Sequence, residues 1–348
     1  MVSFSCDYLE GAHPRVLELL WSANNEQTPG SGEDVYCEQA AALIKSRCGA
    51  DSAAVHFLVG GTQTNAAVIS AALRPYQGVL CADSGHINAH ETGAVEAYGH
   101  KVLPLPAHDG KISGAQVREY CRRHWQDAAH EHIVQPGLVY ISHPTELGTL
   151  YSRAELAELY AACHENGLRL FLDGARLAYG LAAAVADVTL PDLARLTDVF
   201  YIGGTKCGAL FGEAVVIIDR ELQRDFRYII KQHGGMLAKG RLLGLQFLAL
   251  LEDGLYFKLG EHGDRLARLI ADACRQAGVE MLAPPQSNQL FLILTPAENA
   301  ALAERFTPGD VTELADGRLC QRFVTSWATK EEDAAALAEA IRGLRQRS

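Results

Sequence analysis

The chain carries no surplus of positive charge: 31 lysines and arginines stand against 42 aspartates and glutamates, a net charge of −11. A basic face for gripping nucleic acid is therefore excluded. No apolar run approaches the roughly 18–20 residues needed to span a bilayer. The opening residues, MVSFSCDYLEGAHPRV, lack a basic segment followed by an apolar one, so no signal peptide is expected. Cys-x-x-Cys pairs are missing, and the nine cysteines, an odd number, are scattered from Cys6 to Cys320. That rules out a zinc ribbon or a disulfide scaffold and predicts reduced thiols in a cytoplasmic protein, most of them small buried hydrophobes. Neither the G-x-x-x-x-G-K-[ST] P-loop nor the G-x-G-x-x-G fingerprint occurs. His86 and His90 stand four apart, but with no HExxH frame or clear third ligand no metal site is expected.

What is present is a chain able to build a large core. It has 348 residues, 48% hydrophobic and 21% charged. At about 150 residues per domain that suits two domains, or one large and one smaller. Short apolar runs alternate with amphipathic stretches. Ala54–Val59, Val79–Ala82, Val139–Ser142, Leu168–Leu172, Asp198–Ile202 and Ala214–Ile218 read as strands, the last three as strands buried on both faces of a parallel sheet. Ser152 and Glu155 form a capping box for a helix that stops at Gly167. Beyond the apolar helix at 242–251, the composition shifts. A polar helix near 261–277, strands at Gln289–Leu294 and Arg322–Trp327, and a final helix from about residue 330 form an α+β lobe. The expected organisation is an arm over 1–25, a large α/β domain over 26–245 and a small domain over 246–348.

Three segments stand where strands end, the edge at which open parallel sheets bind ligands. Gly60-Gly61-Thr62-Gln63-Thr64-Asn65 opens a helix with bare glycines and two hydroxyls, which suits an anion such as phosphate; a plain capped turn is the simpler alternative. Asp173-Gly174-Ala175-Arg176 puts a carboxylate on the end of a buried strand, where it needs donors or a cation; Arg176 alone would serve. Gly203-Gly204-Thr205-Lys206 puts a lysine at a third strand end, where desolvation would make it a nucleophilic amine, unless it is an exposed turn residue. A phosphate cradle, a buried aspartate and such a lysine together suit pyridoxal 5'-phosphate, which needs an imine-forming lysine, an acidic partner for its ring nitrogen and a phosphate site.

With those segments, above all FLDGARL at 171–177, the chain resembles the threonine aldolase / aromatic amino acid β-eliminating lyase family of fold-type-I pyridoxal-phosphate enzymes. The likeness runs from Ser5-Cys6-Asp7 to Arg322-Phe323-Val324-Thr325. It implies a mostly parallel sheet between helices, with a smaller α+β C-terminal domain. It also implies that Lys206 carries the cofactor, Asp173 faces the ring nitrogen, and Gly61 and Thr62 hold the phosphate. His86 matches the histidine stacked on the ring. Arg176 and Arg322 match arginines near the substrate carboxylate, with Cys6 and Glu91 at substrate-side positions. Gly-Gly-Thr-Lys replaces the usual Ser-Lys-Gly run, and Lys239 stands where an arginine follows the Gly-Gly-Met turn. Lys231 and Lys239 are placed to reach a neighbouring subunit's phosphate. The implied activity is cleavage of the Cα–Cβ bond of a β-hydroxy amino acid, to glycine and an aldehyde. His86, Glu146 or a water between them would take the hydroxyl proton. β-Elimination or transamination of another amino acid is the alternative. A small-molecule substrate and a homo-oligomer, dimer or tetramer, complete the expectation.

Overall fold

The apolar runs in the middle of the chain become the strands of one sheet. The computed structural model describes residues 1–344. Its seven-stranded sheet comprises β1 (Ala54–Leu58), β2 (Gln77–Ala82), β3 (Lys101–Leu105), β4 (Gln135–Ser142), β5 (Arg169–Asp173), β6 (Val199–Gly203) and β7 (Glu213–Ile217), in the order β1-β7-β6-β5-β4-β2-β3. The pairs among β2 to β6 are parallel. Strand β7 is not: it runs antiparallel to both of its neighbours, with Glu213 opposite Gly203 on β6 and Leu58 on β1. An apolar run such as Ala-Val-Val-Ile-Ile shows that a strand is buried but not which way it points, so the parallel expectation for it is corrected. Strand β3 carries Pro104 and lies at the sheet edge, where a missing backbone donor is tolerated.

Helices cover both faces of this sheet. On one face Leu80, Val139, Leu170, Phe200 and Val216 join the larger apolar cluster; on the other, Val79, Tyr140, Phe171, Tyr201 and Val215 join a second. The alternation follows the two-residue period of strands. The helix Arg153–Glu165 starts on the Ser152–Glu155 capping box read from the sequence.

A second layer holds four antiparallel strands in the order Val311–Glu313, Leu319–Val324, Gln289–Leu294, Glu280–Met281, backed by helices Leu255–Ala277 and Glu331–Gly343. The first of these helices starts six residues earlier than expected, and the last long strand three earlier. Helix Arg241–Leu251 runs through the boundary expected at 245 and packs on Pro14–Ser22 and Val35–Cys48. The first residues do not hang free. Val2–Ser3 pairs in parallel with Phe306–Thr307, and Phe4 accepts a hydrogen bond from the Val324 amide at 2.8 Å. Among the described residues no helix is long and apolar enough to cross a membrane.

Candidate active site

The carboxyl edge of the parallel strands is where the three turns meet. After β1 the chain passes Val59 and Gly60 into helix Gly61–Ala72, whose opening amides have no acceptor within the helix. A Cβ on Gly61 would lie 3.2 Å from the Tyr201 hydroxyl, so the bare glycine keeps the helix end close to β6. After β5, a Cβ on Gly174 would lie 1.9 Å from the Tyr201 carbonyl oxygen; after β6, a Cβ on Gly203 would lie 2.5 Å from the Ala175 oxygen. Glycine at both places lets the two strand ends close on one another, joined by the Gly203 amide donating to the Gly174 oxygen at 3.0 Å. Asp173 and Lys206 are thereby drawn to the same cavity.

That cavity, of about 280 Å³, is lined by Tyr8, Gly60, Gly61, Thr62, His86, Ser142, Glu146, Asp173, Arg176, Tyr201, Lys206 and Glu213, among others. Asp173 is buried. Its Oδ2 accepts from Tyr140 Oη at 2.5 Å and Asn65 Nδ2 at 3.1 Å; its Oδ1 accepts from the Ala175 amide at 2.9 Å and from the Tyr201 hydroxyl. Burial pushes its pKa up, but the charge of His86 and the two tyrosine hydroxyls outweigh that and hold it below the ordinary carboxylate value. Its four donors are two tyrosines, an asparagine and a backbone amide, so Arg176 is not its partner, against the simpler expectation. The Arg176 guanidinium instead grips Asp7 with Nε at 2.7 Å and Nη2 at 3.1 Å. Asn288 donates to the same carboxylate at 2.9 Å. Burial would raise the pKa of Asp7, and the charges of Arg176 and Lys206 hold it down.

Lys206 is partly buried, with Nζ 5.9 Å from the centroid of the Tyr8 ring. Burial, helped by the positive charge of Arg176, lowers its pKa, which favours the neutral amine that nucleophilic chemistry needs. His86 opens the short helix His86–Ala89. Its amide donates to Glu146 Oε1 at 2.9 Å, and its Nδ1 meets Glu91 Oε1 at 2.8 Å. Burial would lower its pKa, but Glu91 and Asp173 raise it above the usual histidine value. Glu146 also accepts from Ser142 Oγ at 2.6 Å, and burial raises its pKa.

Not every sequence candidate reaches the cavity. Glu91 does not line the cavity: its side chain is 0% exposed, paired with His86, and accepts from Asn65 at 2.8 Å. Cys6 is half-buried and does not line the cavity, whereas its neighbour Tyr8 does. Arg322 lies outside the lining. It pairs with Asp310, an acid of its own lobe, at 2.9 Å and donates to the Ser5 oxygen at 3.4 Å, and its buried Nε has no partner among the described residues. Lys231 and Lys239 are exposed. The sequence reading missed Tyr8, Asn65, Tyr140, Tyr201 and Glu213, which come together only through the topology. Glu213 left one trace, a carboxylate placed immediately before an apolar strand.

Residues 21–297 match the model of the β-eliminating lyase family. A low specificity L-threonine aldolase of a Pseudomonas species (strain NCIMB 10558) is 32% identical over 349 residues, covering 98% of this chain and 97% of its own. That of Pseudomonas aeruginosa is 31% identical over 345 residues, covering 97% and 96%. The solved threonine aldolase of Leishmania major superimposes with a TM-score of 0.96 at 45% identity, covering 99% of each chain.

Proposed function

The chain belongs to the β-eliminating lyase family, and from that premise we propose that it is a pyridoxal-phosphate lyase that cleaves the Cα–Cβ bond of a β-hydroxy amino acid, giving glycine and an aldehyde. The two Pseudomonas relatives and the Leishmania enzyme are the support for the reaction. The observation that carries it in this molecule is the convergence of Gly61, Thr62, His86, Asp173 and Lys206 on one cavity.

The residues fit the cofactor. Gly61 and Thr62, at a helix start, suit its phosphate. Asp173, held ionised, suits a protonated ring nitrogen, since four donors already stabilise its charge. His86 lines the cavity as a flat ring for its face, and Lys206 offers an amine of lowered pKa for its carbonyl. When bound, pyridoxal phosphate supplies an electron sink for the bond broken at Cα.

The rest is the work of the chain. Asp173, by remaining anionic, would favour a proton on the ring nitrogen. Asn65 ties Asp173 to the Glu91–His86 pair, so the acid and the ring stay in register. Arg176, which lines the cavity, and Arg322, which lies outside the lining, are the arginines proposed to hold the substrate carboxylate and so to select the bond broken at Cα. His86 and Glu146, which both line the cavity, or a water between them are the candidates to take the β-hydroxyl proton, and the contact at the His86 amide fixes Glu146. The homo-oligomer and the cytoplasmic location belong to the same proposal; the nine free cysteines suit a reducing compartment.

Incubation with L-threonine and a panel of β-hydroxy and β-substituted amino acids tests the reading, with products identified. Glycine and an aldehyde are expected. Ammonia with a keto acid would make the chain a β-eliminating enzyme, and amino-group exchange would make it an aminotransferase.

A further inference from the structure

Strand β7 runs against the others, so its first residue, not its last, lies at the site edge. That residue is Glu213, in register with Gly203 and Leu58. It is 2% exposed and lines the cavity with Lys206. Thr205, the residue before that lysine, donates its hydroxyl to Glu213 Oε1 at 2.8 Å and accepts from the Gly212 amide at 3.0 Å. The other oxygen, Oε2, is buried and has no hydrogen-bond partner among the described residues. Groups that act on Glu213 electrostatically include Lys206, Cys207 and the Gly204 amide from the turn after β6, Asp173 from β5, Tyr201 from β6 and Tyr256 from helix Leu255–Ala277. Only Lys206 among them is a cation. A buried carboxyl placed this way has no fixed donor for its second oxygen among the described residues.

We propose that Glu213 is the proton-holding partner of Lys206. The proposal rests on reading Lys206 as the amine that carries the cofactor. An amino acid arrives as an ammonium, while a nucleophilic amine must be neutral. Each exchange of the substrate amine for that of Lys206 therefore leaves one proton in an enclosed pocket that already holds Arg176. In the step proposed, an N–H bond of the Lys206 ammonium breaks and an O–H bond forms on Glu213 Oε2. Neutral amine and neutral acid result, and the net charge of the pocket is unchanged. Burial pushes the Glu213 pKa up to about 8 and that of Lys206 down, which brings the two groups toward a shared range. Lys206 Nζ makes no ion pair with Glu213 in this structure, and the transfer requires its flexible stem to turn the amine toward Oε2.

Glu213→Gln keeps the shape and the Thr205 contact but removes the charge. The test is the pH titration of the visible absorption band of the holoenzyme, whose position reports protonation of the Lys206 nitrogen. A carboxylate nearby favours the protonated nitrogen, so the midpoint in Glu213→Gln is expected to fall by about one pH unit or more, a tenfold change in the proton equilibrium. Glu213→Asp, with its acid drawn back by one methylene, is expected to fall between the two, and it carries the test alone if the glutamine variant does not fold. An unchanged midpoint overturns the pairing. If wild type has no visible band, or Lys206→Ala keeps the band and its reducible link to the protein, the reading of Lys206 fails instead.

Discussion

Single residues divide the chemistry at this site between charge and covalent capture. Lys206→Ala is expected to abolish turnover and covalent attachment of the cofactor while leaving the melting temperature nearly unchanged, because alanine has no amine to form the imine. Mass spectrometry of the borohydride-reduced protein checks it: a cofactor adduct on any other lysine removes Lys206 from this role. Arg322 separates a substrate anchor from a structural ion pair. Its visible partner, Asp310, is 75% exposed, and such pairs contribute about 0–1 kcal/mol. Its buried Nε has no acceptor among the described residues. A substrate carboxylate would answer that, because the guanidinium fork matches it at two points. Arg322→Lys should therefore raise KM for amino acids by at least roughly tenfold, about 1.4 kcal/mol, with little change in melting temperature. A lowered melting temperature with an unaltered KM would return Arg322 to the Asp310 pair.

At the scale of elements, the site is made by strand ends that glycine allows to touch. Gly203 has no room for a methyl group, because the backbone oxygens of Ala175 and Gly174 stand 2.5 and 2.6 Å from where its Cβ would be. Backbone cannot rotate aside as a side chain does. Gly203→Ala is expected to cost about 1–3 kcal/mol of stability through overcrowding, and to lower kcat further by parting Asp173 from Lys206. Urea unfolding with kinetics on the same sample checks both; full stability at wild-type kcat would mean that the turns are slack. These turns were legible in the sequence because their information is local: Gly-Gly-Thr, Asp-Gly-Ala-Arg and Gly-Gly-Thr-Lys each follow an apolar run. The tyrosines around Asp173 were not legible. Tyr140 and Tyr201 lie on neighbours of β5 on either side, and nothing in either segment names the carboxylate they meet. Glu213 was hidden for another reason, since only the reversed direction of β7 carries it to the active edge.

The molecule as a whole carries one electrostatic burden away from its site. Asp264, on helix Leu255–Ala277, is buried, and neither carboxylate oxygen has a hydrogen-bond partner among the described residues. Burial, opposed only by Arg268, pushes its pKa up to about 8. The folded chain then keeps this proton over a range in which the unfolded chain, with an aspartate pKa near ~3.9, has lost it. The sign follows from linkage: stability is full below the unfolded pKa and falls as pH rises toward 8, by at most ~1.4 kcal/mol per pH unit. Asp264→Asn has no proton to lose, so it should gain on wild type steadily from pH 5 to pH 8. Urea unfolding at three pH values across that span decides it, and parallel profiles would show that Asp264 finds a partner or water in solution.

The amino-terminal arm crosses both layers. Val2–Ser3 is zipped to Phe306–Thr307, Asp7 joins Arg176 of the large layer to Asn288 of the small one, and Tyr8 closes the cavity over Lys206. For anyone handling the enzyme, the first eight residues are thus tied to both layers, and the last of them forms part of the wall of the reaction chamber. An aminopeptidase that removed them would strip Arg176 of its counter-ion and take Phe4 out of the core of the small layer. A fluorophore or surface tether attached there would report on, and interfere with, the chamber itself.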